Sequence, residues 1–278
     1  MHVAGLPADA ALLTKSSGRV KAARRLARRA SRAELGLFLA EGPQAVREAL
    51  TLENCVREVF AVPGAAAQHP EIHEASAGLP WHLVDEAALA SLAETVHPQG
   101  LVAVCRAVDR PLDDLLDARP RLLAVCADVR DPGNAGTVIR CADAAGADGV
   151  VLTGSSVDPF NGKTVRATAG SLFHLPLAVG GDPRDVVRRL REAGLTVLAA
   201  DGAGETDLDE AEERGLLDRP TAWLFGNEAW GLPDDLAALA DHRVAIPIHG
   251  RAESLNLATA AAVCLYSSAR AHRRARNG

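Results

Sequence analysis

Aromatic side chains are scarce: Phe, Tyr and Trp together make up 3% of the 278 residues. Base stacking on a sheet of exposed aromatics is a poor main mode for such a chain, which leaves phosphate contact and shape recognition for any nucleic-acid partner. The five cysteines, Cys55, Cys105, Cys126, Cys141 and Cys264, are odd in number and widely spaced, and no CxxC pair occurs. Neither a zinc cluster nor a disulfide framework is suggested; buried free thiols in a reducing cytoplasm are the simplest account, and no metal is expected. No run of about 18 apolar residues is present, and MHVAGLPADAALLTKSSGR has no charged segment leading into a long apolar core. The expectation is a cytoplasmic protein with no membrane span. Two nucleotide signatures fall short. Asn161-Gly162-Lys163-Thr164 resembles the end of a phosphate loop, but Val157 stands where its first glycine belongs, and Gly202-Ala203-Gly204 has no third glycine to open a helix.

Hydrophobic residues make up 48% of the chain and charged residues 24%, a globular composition long enough for two domains. The formal net charge of −6 argues against a polyanionic partner, but its distribution reverses that reading. Lys15, Arg19, Lys21, Arg24, Arg25, Arg28, Arg29 and Arg32 follow one another with no acidic residue between them, and Arg270, Arg273, Arg274 and Arg276 form a second basic group. Screening confines each field to about 8–10 Å, so a local basic face can attract phosphates on an acidic protein. A solvated amphipathic helix face explains the run equally well.

Residues 1–14 read as a loose arm. Helical spacing of Val20, Ala23, Leu26, Ala27 and Ala30 predicts one helix over 17–30, followed by a strand at 35–40. Strands at 56–62, 81–84 and 101–106 then alternate with helices at 43–50, 70–77 and 85–93, a small α/β domain over 1–106 in which Glu41, His69, His73, His82 and His97 are isolated. A linker is expected at 107–120, between Pro111 and Pro120. Over 121–278 strands at 122–127, 149–153, 173–178, 195–200, 221–225 and 244–248 alternate with helices, which predicts an open, mostly parallel α/β sheet with its ligands at the C-terminal strand ends.

Three of those ends carry unusual polar loops: Asn134 to Arg140 as NAGTVIR, Leu224 to Leu232 as LFGNEAWGL, and the segment IPIHGRAESLNLA from Ile246. Ser254 is placed to cap the long terminal helix. In this order NxxxxxR, GNExxGL and IPIxGxxxSLNLAxAxA resemble the three motifs of the SpoU/TrmH branch of the SPOUT methyltransferases. Those enzymes transfer a methyl group from S-adenosylmethionine to a ribose 2′-hydroxyl of RNA. The stretches RVKAARRLARRASRAELGLFLAEGPQAVREAL and HPQGLVAV resemble the substrate-binding domain of ribosomal-RNA members.

The resemblance implies a C-terminal trefoil knot, which no pattern in the sequence predicts. It implies that Gly226, Ile246, Leu255, Asn256 and Ala258 bind S-adenosylmethionine, although each could serve only as a turn or core residue. It implies catalysis by Arg140 with Asn134, Glu228, Ser254 and Asn256. Arginine is effectively always protonated, so Arg140 is read as binding the neighbouring phosphate and stabilising the developing alkoxide, with Asn134 positioning it. It turns the basic run, Arg19, Lys21, Arg24, Arg25, Arg28 and Arg32, toward RNA contact, joined by Lys163 and Arg166. A homodimer is implied too, with Leu257, Ala261 and Leu265 of the terminal helix facing either the partner or their own core. The substrate indicated is 23S ribosomal RNA; transfer RNA, or a non-catalytic role in ribosome assembly, are the alternatives.

Overall fold

A computed structural model describes residues 11–277, so most of the expected arm lies outside the described residues. The chain divides into two compact units. The first runs to Val108 and includes Asp158–Phe173; the second comprises Asp109–Val157 and the chain from His174.

The first unit is built on four strands, β1 Leu37–Glu41, β2 Val56–Ala61, β3 Trp81–Leu83 and β4 Leu101–Arg106. Their order is β1-β4-β2-β3, with β4 antiparallel to both neighbours and β3 parallel to β2. One face buries Val20, Leu26, Phe60, Leu89 and Val102. The single helix expected over 17–30 is broken. Gly18–Arg24 is helical, Arg25–Ala27 forms a 3-10 turn, Arg28 is extended (φ −96°, ψ 132°), and Arg29–Leu35 is a second helix ended by left-handed Gly36. The break frees the Leu26 and Ala27 carbonyls, which accept from Arg32 Nη1 at 2.9 and 3.0 Å. A buried guanidinium thus takes the place of two lost helix bonds. The second helix also takes Leu35 out of the expected strand.

Residues 158–173 were assigned by pattern to the second domain, but they pack in the first unit. Phe38 of β1 lies 4.9 Å from Phe160 and 6.1 Å from Phe173, ring centre to ring centre. Arg32 Nε donates to Asp158 Oδ2 at 2.7 Å, and Asn161 caps the helix Gly162–Ala167 through the Thr164 amide. Phe173 therefore opens no strand.

The second unit contains β5 Leu122–Ala127, β6 Gly149–Thr153, β7 Leu177–Val179, β8 Thr196–Ala200, β9 Thr206–Asp207, β10 Thr221–Phe225 and β11 His242–Ala245. All pairings are parallel, in the order β7-β6-β5-β10-β8-β11-β9. Every residue of β5, β6 and β10 is buried, which is why these strands read as continuous apolar runs. The expected linker is not all loop. It holds the helix Leu112–Asp117, whose Leu115 is buried in the core with Leu123, Val151 and Val187. Between β8 and β10 the chain forms β9 and the helix Leu208–Glu213, which Asp207 caps by accepting from the Glu210 amide.

Candidate functional site

Parallel strands bring the C-terminal ends of β5, β10 and β11 to one edge, and the three polar loops meet there. After β5 the chain turns through Asp128, at φ 57°, into the helix Pro132–Ala145. Pro132 suits the first turn, and Asp131 caps it by accepting from the Asn134 amide at 2.8 Å. Asn134 is thereby fixed beside the loop that follows β10. Glu228 in that loop accepts from the Arg130 amide at 3.2 Å, the Asp131 amide at 2.9 Å and Asn134 Nδ2 at 3.3 Å. Asn134 Oδ1 in turn accepts from Asn256 Nδ2 at 3.0 Å. One hydrogen-bonded chain, Glu228–Asn134–Asn256, ties all three loops.

The loop after β10 is closed on itself. Asn227 and Gly231 exchange amide-to-carbonyl bonds of 2.9 Å, and the buried Asn227 side chain donates to the Asp128 carbonyl at 2.7 Å and accepts from the Ala229 amide at 2.8 Å. A Cβ on Gly226 would overlap the Gly231 backbone, so glycine is required there by close approach. The sequence does not single out Asn227, because its part in closing the loop rests on burial that only the fold supplies.

Ser254 does not cap the terminal helix. The helix Leu257–Asn277 starts later, and Asn256 Oδ1 accepts from the Ala258 and Thr259 amides at 2.9 and 3.4 Å. Asn256 therefore caps with its oxygen and bonds Asn134 with its amide nitrogen. No hydrogen bond joins Asn134 to Arg140 among the described residues. The two are six residues apart on one helix, about 9 Å along its axis and on different faces. The Arg140 guanidinium is exposed and makes no ion pair among the described residues.

A cavity of about 330 Å³ opens against these loops, lined by Gly226, Glu228, Ile246, Ser254 and Leu255, with Ile248, Phe225 and Val244 adding apolar wall. Its size is at the lower end of the range for small-molecule sites. Asp201 and Gly202, at the end of β8, also line it and were not expected from sequence. Burial alone would raise the Asp201 carboxyl, but the Ala203 amide and the Arg243 guanidinium outweigh it and hold the group below the usual aspartate range. Asn256 and Ala258 are not on the cavity wall; Asn256 faces Asn134, and Ala258 is buried. Beneath the site, burial and then the Glu228 charge push the Cys126 thiol up to about 12, so it stays protonated. No group of three or more His, Cys, Asp or Glu able to hold a metal ion occurs among the described residues, and no described helix is long and apolar enough to cross a membrane.

The expected RNA contacts divide. Lys21, Arg24, Arg28 and Lys163 are exposed, and Arg19 and Arg25 stay largely exposed beside Glu58 and Glu34 at 3.5 and 3.8 Å. Arg32 is 7% exposed and committed to Asp158, Leu26 and Ala27, so it is a clasp inside the first unit and not a surface cation. Arg166 is drawn toward Glu41 at 3.1 Å and Glu94 at 3.4 Å. At the chain end Glu212 pairs with Arg270 and, at 2.7 Å, with Arg274. Ala261 and Leu265 are fully buried within their own unit, where the terminal helix packs on the helix Pro132–Ala145. They are core and offer no dimer face.

A family described as "MRM3-like substrate binding domain" matches residues 18–103. A 23S rRNA (guanosine(2553)-2′-O)-methyltransferase, RlmP, of Bacillus subtilis is 35% identical over 251 residues, covering 89% of this chain and 94% of that protein. A 23S rRNA (uridine(2479)-2′-O)-methyltransferase of Streptomyces viridochromogenes is 38% identical over 181 residues, 62% of this chain and 61% of that one. The crystal structure of an AdoMet-bound rRNA methyltransferase from Sinorhizobium meliloti superposes with a TM-score of 0.79 at 34% identity, covering 93% of this chain and 98% of that one. The AdoMet complex of the SpoU methyltransferase AviRb from Streptomyces viridochromogenes gives 0.80 at 29% identity, covering 94% and 100%. The "SpoU rRNA Methylase family" itself matches residues 121–266, which take in all three linked loops and the cavity wall, and the chain belongs to that family.

Proposed function

We propose that this S-adenosylmethionine-dependent RNA methyltransferase acts on a ribose 2′-hydroxyl of 23S ribosomal RNA. The observation that carries the reading is the Glu228–Asn134–Asn256 chain, which holds three loops against a cavity fit for the cofactor. Gly226, Ile246 and Leu255 would hold the adenosine portion through close backbone approach and apolar contact, with Glu228 and Ser254 at the polar end. The cofactor supplies an electrophilic methyl group. This chain's residues must then bind the ribose, exclude water and stabilise the oxygen as its proton leaves.

Arg140 is assigned to the phosphate beside the reacting ribose, where a permanent charge steadies the developing alkoxide. Its separation from the linked trio supports completion of the site by a second subunit, and hence a homodimer. The exposed cations Lys21, Arg24, Arg28 and Lys163, with Arg19 and Arg25, would grip RNA phosphates. The trefoil knot of the fold family and a cytoplasmic location belong to the same reading.

Titration calorimetry with S-adenosylmethionine, followed by methyl transfer to 23S rRNA and to transfer RNA transcripts, tests it. Cofactor binding and a ribosomal position newly resistant to alkaline cleavage support the reading. Methylation of transfer RNA alone would move the substrate, and salt-sensitive RNA binding by folded protein without cofactor binding would leave only a binding factor.

A further inference from the structure

Trp230 stands apart from the other two tryptophans. Trp223 is fully buried and donates to Ser268 at 2.9 Å, and Trp81 is half-buried and donates to Ser76 at 2.8 Å. Trp230 is 55% exposed, although it sits two residues from Glu228 in a loop locked by the Asn227–Gly231 pair. Burying an indole is worth so much that an exposed one on a rigid loop calls for a use. It is not among the cavity-lining residues, so it is not part of the cofactor wall.

The indole is also oriented. Arg130 Cζ lies 5.0 Å from its ring centre, and the Arg130 amide is held by Glu228 at 3.2 Å. The carboxylate that ties the three loops therefore fixes the residue that backs the tryptophan. A guanidinium on one face leaves the rest of a flat, electron-rich surface to solvent at the rim of the site. That arrangement matches a nucleobase, which stacks on an indole regardless of sequence.

We propose that Trp230, backed by Arg130, is a stacking platform for an unpaired RNA base next to the target ribose, and so selects nucleotides that are flipped out or single-stranded. The scarcity of aromatics excludes an aromatic sheet, not one indole beside the reaction centre. The proposal rests on the RNA methyltransferase reading. In that setting the platform fixes the base while the site acts on the sugar, and a base held in a duplex cannot reach it.

The test uses the full chain with a 23S rRNA fragment that it methylates, together with a single-stranded oligoribonucleotide. Tryptophan fluorescence should be quenched by the oligonucleotide in the wild type and not in Trp230→Phe, which keeps a ring but loses the solvent-exposed indole. Trp230→Ala should raise the KM for RNA about 5- to 100-fold with cofactor affinity unchanged, and Trp230→Phe should restore it to within about threefold. Quenching that persists in Trp230→Phe, or an RNA KM that Trp230→Ala leaves unchanged, overturns the platform. So does a fall in activity that accompanies a change from dimer to monomer in light scattering, because Trp230 would then serve a protein contact. A wild-type chain that methylates no RNA fails the parent reading, while the platform still stands or falls on the quench.

Discussion

Arg32→Ala should act on stability and leave the RNA grip intact, the reverse of what the basic run suggests. Arg32 Nε and Nη2 meet Asp158 Oδ2 at 2.7 and 2.6 Å with side chains 7% and 13% exposed. Removing one partner of such a pair strands the other charge, at a cost of about 3–5 kcal/mol. Two main-chain acceptors, Leu26 and Ala27, lose their donor as well. For a domain of this size the loss is a fall of roughly 10–20 °C in the melting temperature of the first unit. Arg25→Ala is the control: its partner Glu34 is 3.8 Å away and both side chains are more than half exposed, so the cost is about 0–1 kcal/mol. Differential scanning calorimetry measures both. Arg32→Met combined with Asp158→Asn removes both charges, keeps an acceptor for the Phe160 amide and should recover most of the loss. Below the melting temperature, Arg32→Ala should leave the slope of log K against log salt unchanged, whereas Arg24→Ala or Arg28→Ala lowers it by about 0.7–0.9. A melting temperature near wild type, or a salt slope changed as for a phosphate contact, refutes the clasp.

Gly226→Ala should abolish S-adenosylmethionine binding in calorimetry, because the added methyl overlaps the Gly231 backbone; Gly231→Ala meets no neighbour and should cost only about 1 kcal/mol for its left-handed φ of 68°. Asn256→Ala loses a helix cap and the link to Asn134, so it should destabilise by about 1 kcal/mol and lower kcat, while Ser254→Ala leaves the melting temperature unchanged; thermal melts and single-turnover methylation separate the two. Arg140→Ala should lower kcat with unchanged cofactor affinity, and near-normal turnover would remove it from the mechanism. His272 is buried and donates to the Arg219 carbonyl at 2.8 Å, and burial holds its imidazole below its usual pKa. Its stabilising contribution is therefore complete above about pH 6.5 and is lost as pH falls below that value, where the unfolded chain takes up the proton first. Urea titrations across pH 5–7.5 should show this slope reduced in His272→Gln.

Local signals set much of the architecture. Apolar runs marked β5, β6 and β10 residue for residue, and the order of the three loops was enough to place the chain among its relatives. These features depend on neighbours a few positions away: backbone propensity, side-chain periodicity and turn chemistry. Short-range reading failed where a distant partner decides. Arg32 looked like one more exposed cation because Asp158 lies 126 residues along the chain, and the same pair draws residues 158–173 into the first unit against their position in sequence. Ser254 fits a cap as well as Asn256 by chemistry alone; Asn256 is chosen because its amide also reaches Asn134, 122 residues away. Sequence by itself determined the fully buried strands β5, β6 and β10, the motif loops and the family. Only the tertiary structure decided which cations stay in water and which asparagine joins the loops, and that Ala261 and Leu265 are core. Burial and long-range pairing set the free energy of each of these groups, and neither exists until the chain has folded.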